Sequence, residues 1–99
     1  METGLSIVVP CYNEEPALPA LYKKLSEVLR QIPCSYEIIL VDDGSSDRTY
    51  ELIEELMEKD AGIKGISFSR NFGKESALFA GLTHASGAYV AVMDADLQD

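Results

Sequence analysis

The chain has 99 residues, of which 46% are hydrophobic and 25% are charged. This composition is typical of one soluble globular domain and excludes a disordered segment. Seventeen acidic residues against eight basic ones give a net charge of −9. That balance argues against binding to nucleic acid or to an anionic membrane surface, because both repel a negatively charged protein. It suits a protein whose carboxylates hold a cation.

Targeting and membrane signals are not recognisable in the sequence. The start, Met1–Gly4, is short and acidic, unlike a signal peptide, and no apolar stretch approaches the roughly 18 residues of a membrane span. Cys11 and Cys34 have neither the spacing of a metal site nor the pattern of a disulfide framework. We therefore expect two reduced thiols in a cytoplasmic protein.

The first part of the chain predicts a strand, a helix and a second strand. Leu5–Pro10 (LSIVVP) is a short apolar run that predicts a strand buried on both faces. A helix follows, with Pro16 and Pro19 near its first turn and Pro33 beyond its end. Its apolar positions recur at helical spacing: Leu18, Leu21, Leu25, Val28, Leu29 and Ile32. Glu37–Val41 (EIILV) predicts the second strand, which ends at the polar segment DDGSSD.

Two further helix and strand pairs are predicted after this segment. The second helix ends before Gly62, the segment 63–69 (IKGISFS) predicts a third strand, and Lys74–Ala85 predicts a third helix that stops at Gly87. Tyr89–Met93 then predicts a buried fourth strand. The candidate caps of the second helix are Ser45, Ser46 and Asp47, and its apolar stripe is Leu52, Ile53, Leu56 and Met57. The third helix is expected to face inward with Ala77, Leu78, Gly81, Leu82 and Ala85.

Strands and helices that alternate in this way predict an α/β fold. We expect a Rossmann-like, open and mainly parallel sheet with helices on both faces. In such sheets ligands bind outside the carboxyl ends of the strands. Every polar cluster of this sequence follows a predicted strand, so the functional site is expected at that edge.

The first two polar clusters each allow a structural and a functional interpretation. Asn13 and Glu14 are natural caps for the next helix; alternatively, Tyr12 stacks on a planar ligand while Glu14 accepts hydrogen bonds from a sugar hydroxyl or a base. Asp42 and Asp43 are adjacent carboxylates that repel each other. We expect one of them to cap the backbone and the other to turn outward, toward a base N–H or a ribose hydroxyl.

The clusters after the third and fourth strands favour a diphosphate and a metal ion. The third strand is followed by Arg70, Asn71, Gly73 and Lys74, at the N-terminus of a helix that favours an anion, although ordinary surface cations at a helix start explain this cluster equally well. Asp94 and Asp96 end the fourth strand two residues apart, and such oxygen ligands suit Mg²⁺ or Mn²⁺. His84, the only histidine, is expected at the surface or as a helix cap. Walker A and Gly-x-Gly-x-x-Gly motifs are absent from the sequence.

Four segments together resemble the N-terminal half of family 2 glycosyltransferases of the GT-A fold: SIVVPCYNEE, EIILVDDGSSDRT, SRNFGKESALFAGLTHASG and DADLQD. The likeness is closest to the polyprenyl-phosphate glycosyltransferases. It covers nearly the whole chain, with the motifs in order. The nucleotide-binding residues that the resemblance implies are Pro10, Tyr12, Glu14, Asp42, Asp43, Lys74 and Asp94, with Asp43 recognising the base and Lys74 meeting the phosphates. The implied ligands of Mg²⁺ or Mn²⁺ are Asp94, Asp96 and Gln98, and Asp96 is the implied catalytic residue.

The resemblance implies transfer of a hexose from a UDP- or GDP-sugar to a polyprenyl phosphate, with inversion at the anomeric carbon. The metal acts as a Lewis acid on the departing diphosphate. Family members continue with an acceptor-binding half, and many add membrane helices. We therefore expect residues 1–99 to be the donor- and metal-binding half, truncated after the metal motif and inactive alone. The full-length family member is expected at the cytoplasmic face of the membrane.

Other functions are compatible with parts of this sequence pattern. A catalytically silent nucleotide-binding fragment is one alternative. A haloacid-dehalogenase phosphatase also uses Asp-x-Asp after a buried strand, but there the motif usually lies near the start of the domain and precedes Thr or Ser, whereas Leu97 follows here. A sugar nucleotidyltransferase would be expected to have a Gly-rich loop where this chain has CYNEE.

Overall fold

The computed structural model describes residues 3–95, in which four strands and three helices alternate. The elements are β1 (Leu5–Cys11), α1 (Leu18–Leu29), β2 (Tyr36–Asp42), α2 (Thr49–Lys59), β3 (Ile63–Ser67), α3 (Lys74–His84) and β4 (Tyr89–Val92). The strands form one sheet in the order β3-β2-β1-β4, and every pair is parallel. The predicted Rossmann-like alternation is confirmed.

The strand register brings the carboxyl ends of three strands to one edge of the sheet. β1 pairs with β2 from Leu5 opposite Tyr36 to Cys11 opposite Asp42. β2 pairs with β3 as far as Asp42 opposite Ser67. The loops that follow β1, β2 and β3 therefore start side by side, as the sequence predicts for a ligand site.

Helices cover both faces of the sheet because side chains alternate along each strand. On one face α1 and α2 pack on a core that includes Ile7, Val9, Ile38 and Leu40. On the other face α3 packs on a smaller core of Val8, Ile39, Val41 and Ala77. β1 and β2 are thus buried on both sides, which confirms the prediction made for β1 from its uninterrupted apolar run.

α3 approaches the sheet through its smallest residues. Ala77 is fully buried, and a β-carbon on Gly81 would lie only 2.3 Å from Cγ1 of Val8. The contact stripe of the helix is therefore narrow. Leu82, predicted to face inward, is 47% exposed, and that prediction was wrong because the stripe is centred on Ala77 and Gly81.

β4 differs most from its prediction. It was expected to be a buried strand, but it is an edge strand that pairs with β1 alone among residues 3–95. Tyr89, Val90 and Val92 are accordingly exposed, because α3 packs over β1 and β2 and leaves β4 uncovered. An uninterrupted apolar run shows that a strand is apolar on both faces; it does not show that both faces are covered.

A buried carboxylate joins the strands at the opposite edge of the sheet. Oε2 of Glu37 accepts hydrogen bonds from the Ser6 hydroxyl at 2.6 Å and from the backbone N–H of Ser86 at 2.7 Å. Its Oε1 lies 2.6 Å from Nζ of Lys64 in an ion pair. Glu37 thereby connects β1, β2, β3 and the segment before β4, far from the polar loops.

The structure also bears on the expectations for the two cysteines and for membrane-spanning helices. Cys11 is buried, Cys34 is exposed, and neither is in a disulfide, as predicted. Within residues 3–95, no helix has the length and apolar character needed to cross a membrane.

Candidate functional site: a cleft at the carboxyl edge of the sheet

A cleft of about 330 Å³ opens at the edge where β1, β2 and β4 end. Its lining residues are Pro10, Cys11, Tyr12, Glu14, Asp43, Lys74, Asp94 and Ala95. Six of the seven residues that the sequence suggested for nucleotide binding are among them. The seventh, Asp42, is buried and is not among the lining residues. Asp96 and Gln98, the other suggested metal ligands, lie outside the described residues.

Asn13 fastens the loop after β1 to the loop after β2. Its backbone is in the left-handed region, at φ 53°, and its N–H donates to the hydroxyl of Ser45 at 2.8 Å. Its side-chain oxygen accepts hydrogen bonds from the N–H groups of Ser46 at 2.8 Å and Asp47 at 3.4 Å. Tyr12 and Glu14, on either side of Asn13, line the cleft from this anchored position.

Capping of α1, one of the two interpretations of Asn13 and Glu14, is not observed, because the N-cap residue is Ala17 and no side-chain hydrogen bond caps the helix there. α1 begins at Leu18, and the side chain of Asn13 reaches across to the second loop instead. Glu14 contributes its backbone: its N–H donates to Oγ1 of Thr49 at 3.0 Å, and its carbonyl accepts from Leu18. Both residues therefore shape the loop rather than cap the helix with their side chains.

Asp47, predicted as one possible cap of α2, accepts hydrogen bonds at the first turn of that helix. Its Oδ1 accepts the N–H of Thr49 at 2.9 Å and also the Thr49 hydroxyl. Burial alone would raise the pKa of Asp47, but these hydrogen bonds to its charged form outweigh it and lower the pKa. The start of α2 is thus fixed by the same loop that receives Asn13.

Asp42 and Asp43 are both buried, and each accepts backbone hydrogen bonds. Asp42 closes its own turn, with Oδ1 accepting the N–H of Ser45 at 3.1 Å. Asp43 reaches the loop before α3: Oδ1 accepts the N–H of Phe72 at 2.8 Å, and Oδ2 accepts the N–H of Gly73 at 3.1 Å. Of the two carboxylates, only that of Asp43 lines the cleft.

Asn71 completes the surroundings of Asp43. Its side-chain amide donates to Oδ2 and to the carbonyl oxygen of Asp43, each at 3.1 Å. The carboxylate thus accepts three donors, while an ionised carboxylate has about four acceptor positions. Asp43 therefore keeps the capacity for roughly one further donor, such as a ligand N–H.

Gly44 also shapes the site, a role that the sequence alone did not predict. Its φ is 71°, and an added β-carbon would lie 2.1 Å from the carbonyl carbon of Arg70 and 2.3 Å from the nitrogen of Asn71. The second and third loops touch here backbone to backbone. The available signal was a glycine that directly follows two strand-end acids.

Cys11 lines the cleft as a neutral thiol. Burial, together with the charges of Glu14 and Asp42, raises its pKa to about 12. A nucleophilic cysteine needs a thiolate, which this environment disfavours. The chemistry of the cleft therefore rests on its oxygen and ammonium groups.

Lys74 and Asp94 face each other in this cleft. Nζ of Lys74, the first residue of α3, lies 2.9 Å from Oδ1 of Asp94, just beyond β4. Within residues 3–95 no group of three His, Cys, Asp or Glu side chains converges on one point. Asp94 is the one suggested metal ligand among them. The ammonium beside its carboxylate shows that a cation is accommodated there, and its hard oxygen suits Mg²⁺ or Mn²⁺.

Comparison with known proteins agrees with this geometry. A family profile described as Glycosyl transferase family 2 matches residues 6–99. The bactoprenol glucosyl transferase of Shigella phage SfV is 50% identical over 95 residues, which cover 96% of this chain and 31% of that protein. The chain thus spans under a third of the length of this relative.

Two solved glycosyltransferase structures share the fold. TarS 1–349 of S. aureus in complex with UDP-GlcNAc superposes with a TM-score of 0.80 at 29% identity, covering 94% of this chain and 26% of that one. The mannosyltransferase PcManGT of Pyrobaculum calidifontis, in complex with GDP-Man and Mn²⁺, gives a TM-score of 0.78 at 28% identity, covering 97% and 28%. The chain therefore belongs to glycosyl transferase family 2 and has the α/β architecture of its GT-A members.

Proposed function

We propose that this chain is the donor-binding part of an inverting glycosyltransferase that moves a hexose from a UDP- or GDP-sugar to a polyprenyl phosphate. The observation that carries the proposal is the cleft itself. It gathers a tyrosine, three carboxylates and a lysine from four separate segments of the chain at the carboxyl edge of a parallel sheet. The names of the matched bactoprenol glucosyl transferases support the acceptor, and the nucleotide-sugar complexes of the two solved structures support the donor.

Each side chain has a role that its surroundings permit. Tyr12 is half-exposed at the cleft, where its ring can stack on the base. The remaining acceptor position of Asp43 can take a base N–H, a group that both uracil and guanine offer. Lys74 and the N-terminus of α3 attract the diphosphate.

Metal binding belongs to the same proposal. Asp94, with Asp96 and Gln98, would hold Mg²⁺ or Mn²⁺. When bound, the ion would supply Lewis-acid stabilisation of the departing nucleoside diphosphate. The acceptor phosphate is already an anion, so the proposal assigns no general base to any of the 99 residues.

The second candidate is a chain that binds nucleotide without transferring sugar. The residues that line the cleft are assigned only to the donor and the metal, and such contacts suffice for binding without transfer. The two candidates share the donor site and differ only in turnover. An assay of sugar transfer to a polyprenyl phosphate by a protein that contains these residues as its donor half distinguishes them: transfer supports the first candidate, and nucleotide binding without transfer supports the second.

Calorimetric titration of the folded chain with UDP and with GDP, each with and without Mn²⁺, tests the donor site. We expect one nucleotide to bind in a metal-dependent manner, and Asp96→Asn to abolish the dependence on metal. Tyr12→Ala should weaken binding roughly tenfold through lost stacking. A matched control is Tyr89→Ala, because Tyr89 is exposed at the far end of the sheet, about 20 Å away by strand rise. A folded chain that binds neither nucleotide would refute the proposal.

A further inference from the structure

The ion pair between Lys74 and Asp94 joins a residue proposed for the diphosphate to a residue proposed for the metal. Nζ lies 2.9 Å from Oδ1, and both residues line the cleft. The side chain of Lys74 is 62% exposed and that of Asp94 is 32% exposed. Both charged groups are therefore accessible to a ligand in the cleft.

Binding of a metal ion to Asp94 is electrostatically unfavourable while the Lys74 ammonium remains paired with the same carboxylate. A divalent ion binds a carboxylate oxygen at about 2.0–2.2 Å. With Nζ still 2.9 Å from the same group, the two cations would stand only about 4–5 Å apart. Their repulsion disfavours metal binding unless Lys74 moves or an anion comes between them.

Lys74 is placed to move. An exposed ion pair of this kind stabilises a fold by only about 0–1 kcal/mol, so it breaks easily. The lysine stem is long and flexible, and it begins at the N-terminus of α3, where an anion is also attracted. The ion pair of Lys64 and Glu37 contrasts with it, because that carboxylate is only 4% exposed and has several other donors.

We propose that Lys74 is a positioning residue that holds Asp94 as a placeholder cation until the donor arrives. With nucleotide and metal bound, the ammonium would pair with the diphosphate, and the Asp94 carboxylate would then be available to hold the metal. Metal alone then binds weakly, and metal and nucleotide each strengthen the binding of the other, as linkage requires. This inference rests on the proposed function.

A purely structural role for the pair, as a tie between α3 and the end of β4, makes different predictions. Removing Lys74 would then lower stability slightly and leave the affinity for a metal ion unchanged. The placeholder role predicts effects of opposite sign: without Lys74, the metal alone binds more tightly and the nucleotide binds less tightly. The two roles are separated by metal binding measured in the absence of nucleotide.

The test is Mn²⁺ binding to the chain, followed by electron paramagnetic resonance, with and without the nucleotide that titration identifies. For Lys74→Met we expect the Kd of Mn²⁺ alone to fall roughly two- to fivefold, the range of an exposed ion pair. In the presence of Mn²⁺, the Kd of the nucleotide should rise roughly tenfold. Lys74→Arg, which keeps the cation, should resemble the wild type in metal binding.

Lys23→Met is the matched control, since Lys23 is an exposed lysine on α1, outside the cleft. It removes the same charge and should change neither affinity. If Lys74→Met binds Mn²⁺ alone no better than the wild type, the placeholder role is refuted. The proposed function is still supported in that case if the wild type binds nucleotide in a metal-dependent manner. If the wild type binds neither Mn²⁺ nor nucleotide, both fail.

Discussion

The side-chain oxygen of Asn13 lies 2.8 Å from the backbone nitrogen of Ser46 and accepts its hydrogen bond across 33 positions of sequence. The same oxygen accepts the Ser46 hydroxyl at 3.2 Å. Asn13 can hold this position because asparagine tolerates the left-handed backbone, here at φ 53°. One residue thus sets both the shape of the first loop and its distance from the second.

Replacing Asn13 should loosen the cleft. Asn13→Ala loses the acceptor, and alanine tolerates the left-handed backbone less well than asparagine does, so we expect the free energy of unfolding to fall by about 2–3 kcal/mol. Asn13→Gly tolerates the backbone and loses only the acceptor, so its loss should be about 1 kcal/mol smaller. Urea unfolding followed by circular dichroism measures both, and nucleotide titration should show weaker binding in the same order.

Asn13→Asp is the control for this prediction. It keeps a side-chain acceptor and tolerates the left-handed backbone, so it should lie closest to the wild type. Equal stability of the alanine variant and the wild type would mean that the two loops do not depend on Asn13.

Gly44→Ala should be among the most damaging small substitutions at the cleft. The new methyl group would lie 2.1 Å from the carbonyl carbon of Arg70, and backbone atoms cannot yield as a flexible side chain does. With the added strain at φ 71°, we expect a loss of about 3 kcal/mol or more in the free energy of unfolding. Chemical denaturation gives the value directly.

Gly73→Ala separates backbone strain from steric overlap. Gly73 also has a positive φ, 106°, but no atom lies within 4 Å of an added β-carbon. Its alanine variant should lose only the strain energy, about 1–3 kcal/mol. The prediction for Gly44 is wrong if its alanine variant is no less stable than that of Gly73.

The sequence predicted the local elements of this fold well. The strand predicted at Leu5–Pro10 is observed at Leu5–Cys11, and the helix predicted at Lys74–Ala85 is observed at Lys74–His84. These elements follow from local sequence patterns, in which apolar residues recur with a period of two or 3.6 and are bounded by proline, glycine and acids. The position of the cleft followed equally well, because the parallel order of the strands brings their carboxyl ends together.

The features that the sequence did not reveal depend on distant partners. The sequence allows Asn13 to be a helix cap and does not reveal its actual hydrogen-bond partners, which lie more than 30 positions away. The apolar run of β4 predicts burial, but its place at the sheet edge follows from the strand order and not from its composition. Helical spacing predicts that Leu82 faces inward, but the close approach of Gly81 to Val8 turns it outward.

Glu37 should make stability depend on pH in the acid range. Burial alone would raise its pKa, but hydrogen bonds from Lys64, Ser6 and Ser86 outweigh this effect and lower the pKa from 4.5 to about 2. Because the pKa of Glu37 is lower in the folded state than in the unfolded state, its carboxylate stabilises the fold fully above about pH 4.5. This contribution is lost as the pH falls toward 2. The shift corresponds to about 3 kcal/mol.

Glu37→Gln tests this dependence. The wild type should lose stability steeply between pH 4.5 and 2, and the variant, less stable at pH 7, should show a flatter profile over that interval. Glu58→Gln changes an exposed acid on α2 and should leave the wild-type profile intact. Parallel profiles for the wild type and Glu37→Gln would contradict the assignment.

The two cysteines should differ sharply in reactivity. Cys11 is 1% exposed, and burial raises the pKa of its thiol to about 12, so at pH 8 only about one molecule in 10⁴ carries the thiolate. Cys34 is exposed. Iodoacetamide should label Cys34 in the folded chain and label Cys11 at least about 100-fold more slowly. In urea, which unfolds the protein, the two rates should converge.

Mass spectrometry of the peptides measures each rate, and a folded Cys34→Ser variant should remain unlabelled on the same timescale. Rapid labelling of Cys11 in that variant would show that the end of β1 is open to solvent through the cleft, in conflict with its burial.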